Sequence, residues 1–217
     1  MLDPISDKAR DLIFKFEDLD QPGEWPGGES GVTIGIGYDL GYVTVPQFRD
    51  DWRAEFLSMD KQTWYLRLRR VVGRAGLAAK ELFGKSKDQF MDIHVERATA
   101  VRVFDAVTVP RYFALLHKTF PGVDVLPADV VGVLFSLVYN RGGRLKDRDP
   151  ELGDRREMRA IAEKVREFSV GALPLADALL AIAQELRSME RLWKGKGLEG
   201  LVRRREAEAE LVESCIQ

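Results

Sequence analysis

SGVTIGIGYDLGYVTVP, from Ser30 to Pro46, is the stretch that decides how this chain is read. Three glycines (Gly35, Gly37 and Gly41) interrupt a β-rich run, and Tyr38 and Asp39 follow the second. Glycine weakens a strand because it loses more backbone entropy than other residues and has no side chain to pack. A segment that accepts this cost marks a bulge, a tight bend or the close approach of a ligand. The expectation is a small hairpin over roughly Val32–Tyr42, with backbone at Gly35 and Gly37 open to a bulky ligand. The same segment offers a hydroxyl, Thr33, and an acid, Asp39.

Outward from the hairpin, nearly everything has helical spacing. Before it, Ile5, Ala9, Leu12, Ile13 and Phe16 predict a helix over 6–18 with Ser6 as its cap. The Pro- and Gly-containing EDLDQPGEWPGGES then forbids continuation. After the hairpin, Thr44 with Gln47 three residues on forms a capping-box pattern opening TVPQFRDDWRAEFL, and Pro46 sits in its first turn. Further helices are expected over 60–72, 77–82, 87–92, 95–118, 128–140, 154–167, 175–193 and 198–213, with Pro110 bending or splitting the longest. VLPADVVGVLFSLVYN is apolar almost all round and belongs at the centre of a lobe, ended by the glycines of RGGR. The fold class is therefore α+β and mostly helical. A single domain over 1–217 is expected, with a β-hairpin subdomain over about 19–45 and a larger helical lobe over about 46–217 forming a cleft with it.

The totals exclude several function classes. The chain has 217 residues, 45% hydrophobic and 31% charged, enough to bury a core without disulfide staples. Its one cysteine, Cys215, allows no internal disulfide and suits a fold that forms in a reducing compartment. A net charge of −2 gives no global attraction for nucleic acid or anionic lipid, and the basic clusters Arg67–Arg70 and Arg203–Arg205 are read as solvated helix faces. No apolar run reaches the ~20 residues of a membrane span. The start of the sequence shows no export signal, so synthesis in the cytoplasm is expected.

Chemistry is narrowed the same way. GIGYDLG has the spacing GxGxxxG, outside any βαβ unit, so it is not a dinucleotide fingerprint, and no P-loop lysine follows. His94 and His117, the only histidines, supply neither a metal set nor a Ser-His-Asp triad, and no metal or cofactor is implied. Carboxylates remain. Glu17 closes the first helix beside Asp18 and near Asp20, where the helix terminus and neighbouring acids disfavour ionisation and push a carboxyl toward general-acid behaviour. The hairpin can bring Thr33 and Asp39 back toward it. A protonated and an ionised carboxyl facing each other across a cleft are the machinery of glycoside hydrolysis. The rival readings are structural: a solvated acidic helix end for Glu17, a strand former for Thr33, and a turn acid bonding its own backbone for Asp39.

Glu17 followed by GVTIGIGYDLG resembles the catalytic start of the phage-type lysozymes, glycoside hydrolase family 24, where a Glu ends the first helix and a T-I-G-x-G hairpin follows. LFSLVYNRGG (Leu134–Gly143) is similar to the family's buried helix, and GLEGLVRRREAEAEL (Gly197–Leu211) resembles its closing G-L-x-x-R-R-x-x-E helix. The family's usual second acid would fall at Gly27. Here the acid instead follows the motif, in a pesticin-like arrangement. The resemblance implies a lysozyme-like fold and a muramidase with Glu17 as general acid, Asp39 as ionised partner and Thr33 as water-orienting hydroxyl. Asp20 and Glu29 are the alternative second acids. It further implies that Asn140, Tyr38, Gly35 and Arg204 bind substrate or border the acid, and Trp25, Trp52 and Trp64 are candidates for stacking on sugars.

The expected substrate is bacterial peptidoglycan, reached in the periplasm or wall after holin-dependent release or delivery as an effector. The expected state is a monomer without stable membrane insertion, with an immunity or inhibitor protein as the conceivable partner. Rival functions are a non-catalytic glycan- or protein-binding module, and a transglycosylase or chitosanase-like enzyme on the same fold.

Overall fold

The computed structural model describes residues 5–56 and 59–216, apart from the side chains of 59, 60 and 86. It is mostly helical with one small antiparallel hairpin. The helices are α1 (Asp7–Glu17), α2 (Val45–Asp51), α3 (Met59–Leu68), α4 (Gly76–Ser86), α5 (Arg97–Val103), α6 (Val109–Thr119), α7 (Ala128–Arg141), α8 (Arg156–Ser169), α9 (Leu175–Ser188) and α10 (Glu199–Glu213). The strands, β1 (Thr33–Ile34) and β2 (Tyr38–Asp39), lie between α1 and α2.

The chain divides into two compact units. One contains the residues up to Phe16 together with Arg111 onward, and the other runs from Glu17 to Pro110. The helices of 45–110 cluster with the hairpin because its apolar face recruits them: the Tyr38 ring meets Trp52 edge-on at 5.6 Å and Phe48 at 6.3 Å. Phe48 in turn stacks on Tyr65 and meets Phe56 edge-on.

In the first unit α7 is the centre. Nine consecutive residues, Val130–Val138, are buried, as its all-round apolar sequence requires. α1 crosses it where Gly132 faces Ala9: a Cβ built on Gly132 would lie 2.3 Å from the Ala9 Cβ. α8, α9 and α10 pack in succession, with Met158, Ile161, Leu179, Ile182, Ala209 and Val212 buried among them. Gly142 ends α7 at φ +72°, its N–H bonding the Val138 carbonyl at 2.7 Å.

Local signals explain most element ends. The Ser6 Oγ accepts the Ala9 amide at 3.2 Å, and the Thr44 Oγ1 accepts the Gln47 amide at 3.3 Å. α2 stops at Asp51, earlier than TVPQFRDDWRAEFL suggests, because the chain turns to bring Trp52 and Phe56 into the aromatic cluster; Leu57 lies outside the described residues. The helix expected over 95–118 is interrupted by a π-helical turn, Phe104–Thr108, ahead of Pro110. Proline lacks the N–H that would reach back four residues, and its ring pushes that carbonyl away, so the preceding turn widens. Gly76–Ser86 forms one helix continued by a 3-10 turn over Lys87–Gln89, where the sequence suggests two short pieces.

Candidate functional site

The hairpin unit assembles the acids. Its strands pair antiparallel with Thr33 opposite Asp39 and Ile34 opposite Tyr38. Residues directly opposite share a face, so Ile34 and Tyr38 point to the aromatic core and Thr33 and Asp39 to the other side. The connecting turn, Gly35-Ile36-Gly37, needs left-handed backbone at both glycines, φ +64° and +60°. A third segment joins it: Asp20 and Gly35 exchange backbone hydrogen bonds at 2.7 and 2.9 Å, forming an isolated antiparallel bridge. The Gln21 amide then clamps the Val95 backbone through both its oxygen (2.8 Å) and its nitrogen (3.0 Å).

This bridge brings Asp20 into the field of Glu17, Asp18 and Asp39. α1 ends at Glu17, and Asp18 follows with φ +51°, a left-handed conformation that aspartate tolerates better than most residues. Reversing the chain there lets Asp20 lie close to Glu17. Burial, reinforced by the Glu17 charge and then by Asp18 and Asp39, pushes Asp20 up to about 6, against the stabilising amide of Gly37. A group near 6 exchanges protons around neutral pH, as acid–base chemistry requires.

Asp39 is differently placed. Both its oxygens accept the Gly31 amide (3.0 and 3.1 Å), and Oδ1 also accepts the Gly41 amide at 2.7 Å. A Cβ on Gly31 would meet Asp39 Oδ1 at 2.5 Å and the Gly41 nitrogen at 2.4 Å, so glycine at 31 is what lets the carboxylate seat. Burial raises Asp39, opposed by these amides. The turn-acid role is thus present in the structure, and it leaves part of one oxygen's capacity for a further donor. Thr33 is 7% exposed, and its hydroxyl makes a long bond to the Gly31 carbonyl (3.4 Å).

The other sequence candidates fall elsewhere. Tyr38 is 5% exposed and donates its hydroxyl to Asp51 Oδ2 at 2.6 Å, which makes it a core residue. The close approach required at Gly35 is to protein rather than to open space, since a Cβ there would lie 3.3 Å from both Ala100 and Trp52. Glu29 is exposed, with its carboxylate beside Gly76. Trp25 donates to the Ser30 carbonyl (2.9 Å), Trp52 is buried, and Trp64 is half-buried. Trp52 and Trp64 line a pocket with Ile34, Phe56, Glu55 and Lys61, on the hairpin face turned away from Thr33 and Asp39.

Asn140 and Arg204 belong to the other unit. Arg204 is buried; its Nη2 donates to Ser136 Oγ (2.9 Å), its Nε donates to Glu208 Oε1 (3.2 Å), and its guanidinium lies 5.9 Å from the Phe16 ring. Asn140 Oδ1 accepts from Arg205 at 3.4 Å.

On sequence alone Asp20 stands behind Asp39 as the second acid. The signal that could have raised it was the run of acids Glu17, Asp18 and Asp20 around a helix end; the missing piece was the backbone bridge to Gly35. Among the described residues no group of three His, Cys, Asp or Glu side chains could hold a metal ion, and no helix is long and apolar enough to cross a membrane. No protein-family model and no curated protein sequence matches the chain.

Proposed function

We propose that this chain is a glycoside hydrolase of lysozyme-like fold that cuts the β-1,4 bond between N-acetylmuramic acid and N-acetylglucosamine in bacterial peptidoglycan. The observation that carries the reading is the bridge of Asp20 to Gly35 of the hairpin, beside the Glu17 charge, with Asp20 raised to about 6. Neighbouring carboxylates oppose one another's ionisation, and at Asp20 burial and the Glu17 charge favour the protonated form up to about pH 6. Glu17, the last residue of α1, donates to the leaving oxygen. Asp39, with Thr33 across from it, holds the attacking water, and inversion follows where the two carboxyls stand about 6.5–9.5 Å apart. The resemblance of the Glu17…GVTIGIGYDLG, Leu134–Gly143 and Gly197–Leu211 segments to phage-type lysozymes supports the substrate class.

A second assignment, with Asp20 as the partner acid, is favoured by the hydrogen bonds that commit Asp39 to Gly31 and Gly41. Digestion of purified peptidoglycan with wild type, Glu17→Gln, Asp39→Asn and Asp20→Asn, followed by mass spectrometry of the product ends, tests both. New reducing muramic acid ends from wild type, absent with Glu17→Gln, are expected. Loss in only one of the two Asp variants identifies the partner. Wild-type activity in Glu17→Gln, or anhydro ends in place of reducing ones, overturns the reading.

A further inference from the structure

The unit built around α7 gathers guanidinium groups at that helix's carboxyl end. Arg141, its last residue, lies over the Trp193 ring at 4.9 Å, and Arg205 of α10 approaches the same ring at 6.0 Å. Arg155 is 4% exposed and donates Nη1 to the Arg141 carbonyl at 2.9 Å. The nearby carboxylates have other partners, though Asp154 Oδ2 also lies 3.4 Å from Arg155 Nε and Asp147 accepts the Arg155 amide at 2.7 Å. Asp154 accepts the amides of Arg148 (2.8 Å) and Asp149 (3.2 Å). Glu157 accepts from Arg191 at 2.6 and 3.1 Å and from Arg156 at 3.2 Å, and Glu208 accepts from Ser136, Arg204 and Arg205.

Arg141 is left with a single hydrogen bond, from Nη2 to the Asp154 carbonyl at 2.5 Å; its Nη1 is buried with no hydrogen-bond partner. Arg155 Nε is likewise buried without a hydrogen bond, 3.4 Å from Asp154 Oδ2. Burial and the charges of Arg155 and Arg205 pull Arg141 down to about 10. Like charges brought together in a poorly hydrated place with unused donors are the inverse image of an anion.

We propose that Arg141 and Arg155, braced by Trp193, form a binding site for an oxyanion, a carboxylate or phosphate group carried by a ligand. Arg141 Nη1 and Arg155 Nε donate to it, and Trp193 holds the Arg141 plane so that its fork is presented in one orientation. Arg141 and Trp193 are each half-buried, so the buried donors lie directly beneath side chains that reach solvent. The proposal stands independently of the glycosidase reading.

Titration of the 15N-labelled protein with inorganic phosphate, and separately with acetate, tests it. The Trp193 indole N–H and the Arg141 Nε–H resonances should shift and saturate with at least one of the two, and which one identifies the ligand chemistry. Affinity should fall about tenfold or more in Arg141→Met, which keeps a long stem but removes the donors. It should be unchanged in Arg203→Gln, an equal loss of charge at an exposed position on α10. Non-saturating shifts in wild type that sodium chloride reproduces at the same ionic strength, or equal affinity in Arg141→Met, would overturn the proposal.

Discussion

Asp39 grips Gly31 with both carboxylate oxygens, at 3.0 and 3.1 Å, and Gly41 with one of them, at 2.7 Å. A carboxylate accepting several amides fixes the loop on either side of the hairpin, so any chemical role for Asp39 depends on the same bonds that shape the turn.

Replacing Asp39 therefore has a stability consequence separable from any catalytic one. Asp39→Ala strands the partly buried amides of Gly31 and Gly41 and should cost about 1–3 kcal/mol. Asp39→Asn keeps one acceptor oxygen and should cost less than half as much. Urea unfolding of the two variants checks this; equal losses would mean that the charge, and not the acceptor geometry, holds the loop.

Asp20 predicts a pH dependence. Its carboxyl is raised to about 6 in the folded chain, against about 3.9 for an ordinary aspartate. A raised acid contributes stability that is fully present below about 4 and lost as pH climbs through about 6. Two units correspond to at most ~3 kcal/mol, and solvent around this half-buried group reduces that to about 1–2 kcal/mol. Asp20→Asn should thus stabilise the protein more at pH 8 than at pH 4, as measured by urea midpoints at the two values. The same increment at both would place the effect outside ionisation.

How much of this was legible beforehand follows from the range of each signal. Local signals held: Ser6 and Thr44 cap their helices, Gly142 ends α7, and the apolar run Val130–Val138 is buried throughout. Contacts distant in sequence did not. Nothing in the residues says that Asp20 pairs with Gly35, because any non-proline backbone can make such a bridge. The glycine at 35 announced a close approach, but its partners, Ala100 and Trp52, are 65 and 17 residues away and hydrophobic like many others. Nor do the residues announce that α2 and α3 join the hairpin, since the aromatic cluster that binds them is a tertiary event.

Glu208 carries the closing helix's polar motif. It is fully buried and accepts from Ser136 Oγ (2.6 Å), Arg204 (3.2 Å) and Arg205 (3.0 Å). Removing one member of a buried ionic group leaves the others uncompensated and typically costs 3–5 kcal/mol, roughly the scale expected for Glu208→Ala. Glu208→Gln, which keeps an acceptor, should fall between it and wild type. A loss under about 1 kcal/mol for Glu208→Ala in chemical denaturation would show that water replaces the carboxylate.

Gly132 tests the packing of α1 on α7. In an isolated helix Gly→Ala is favourable by roughly 1 kcal/mol. Here the added Cβ would lie 2.3 Å from the Ala9 Cβ and 3.3 Å from Ile5 Cγ2, so the helices must separate, an overpacking cost of about 1–3 kcal/mol. Gly132→Ala should therefore destabilise the protein despite its helix propensity. Ala9→Gly alone should also destabilise it, through the entropy of a helical glycine. Combined, the two substitutions move the methyl from one helix to the other, and the double variant should be more stable than the sum of the single effects by about 1 kcal/mol or more. Additive losses in the double-mutant cycle would mean that α1 and α7 meet elsewhere.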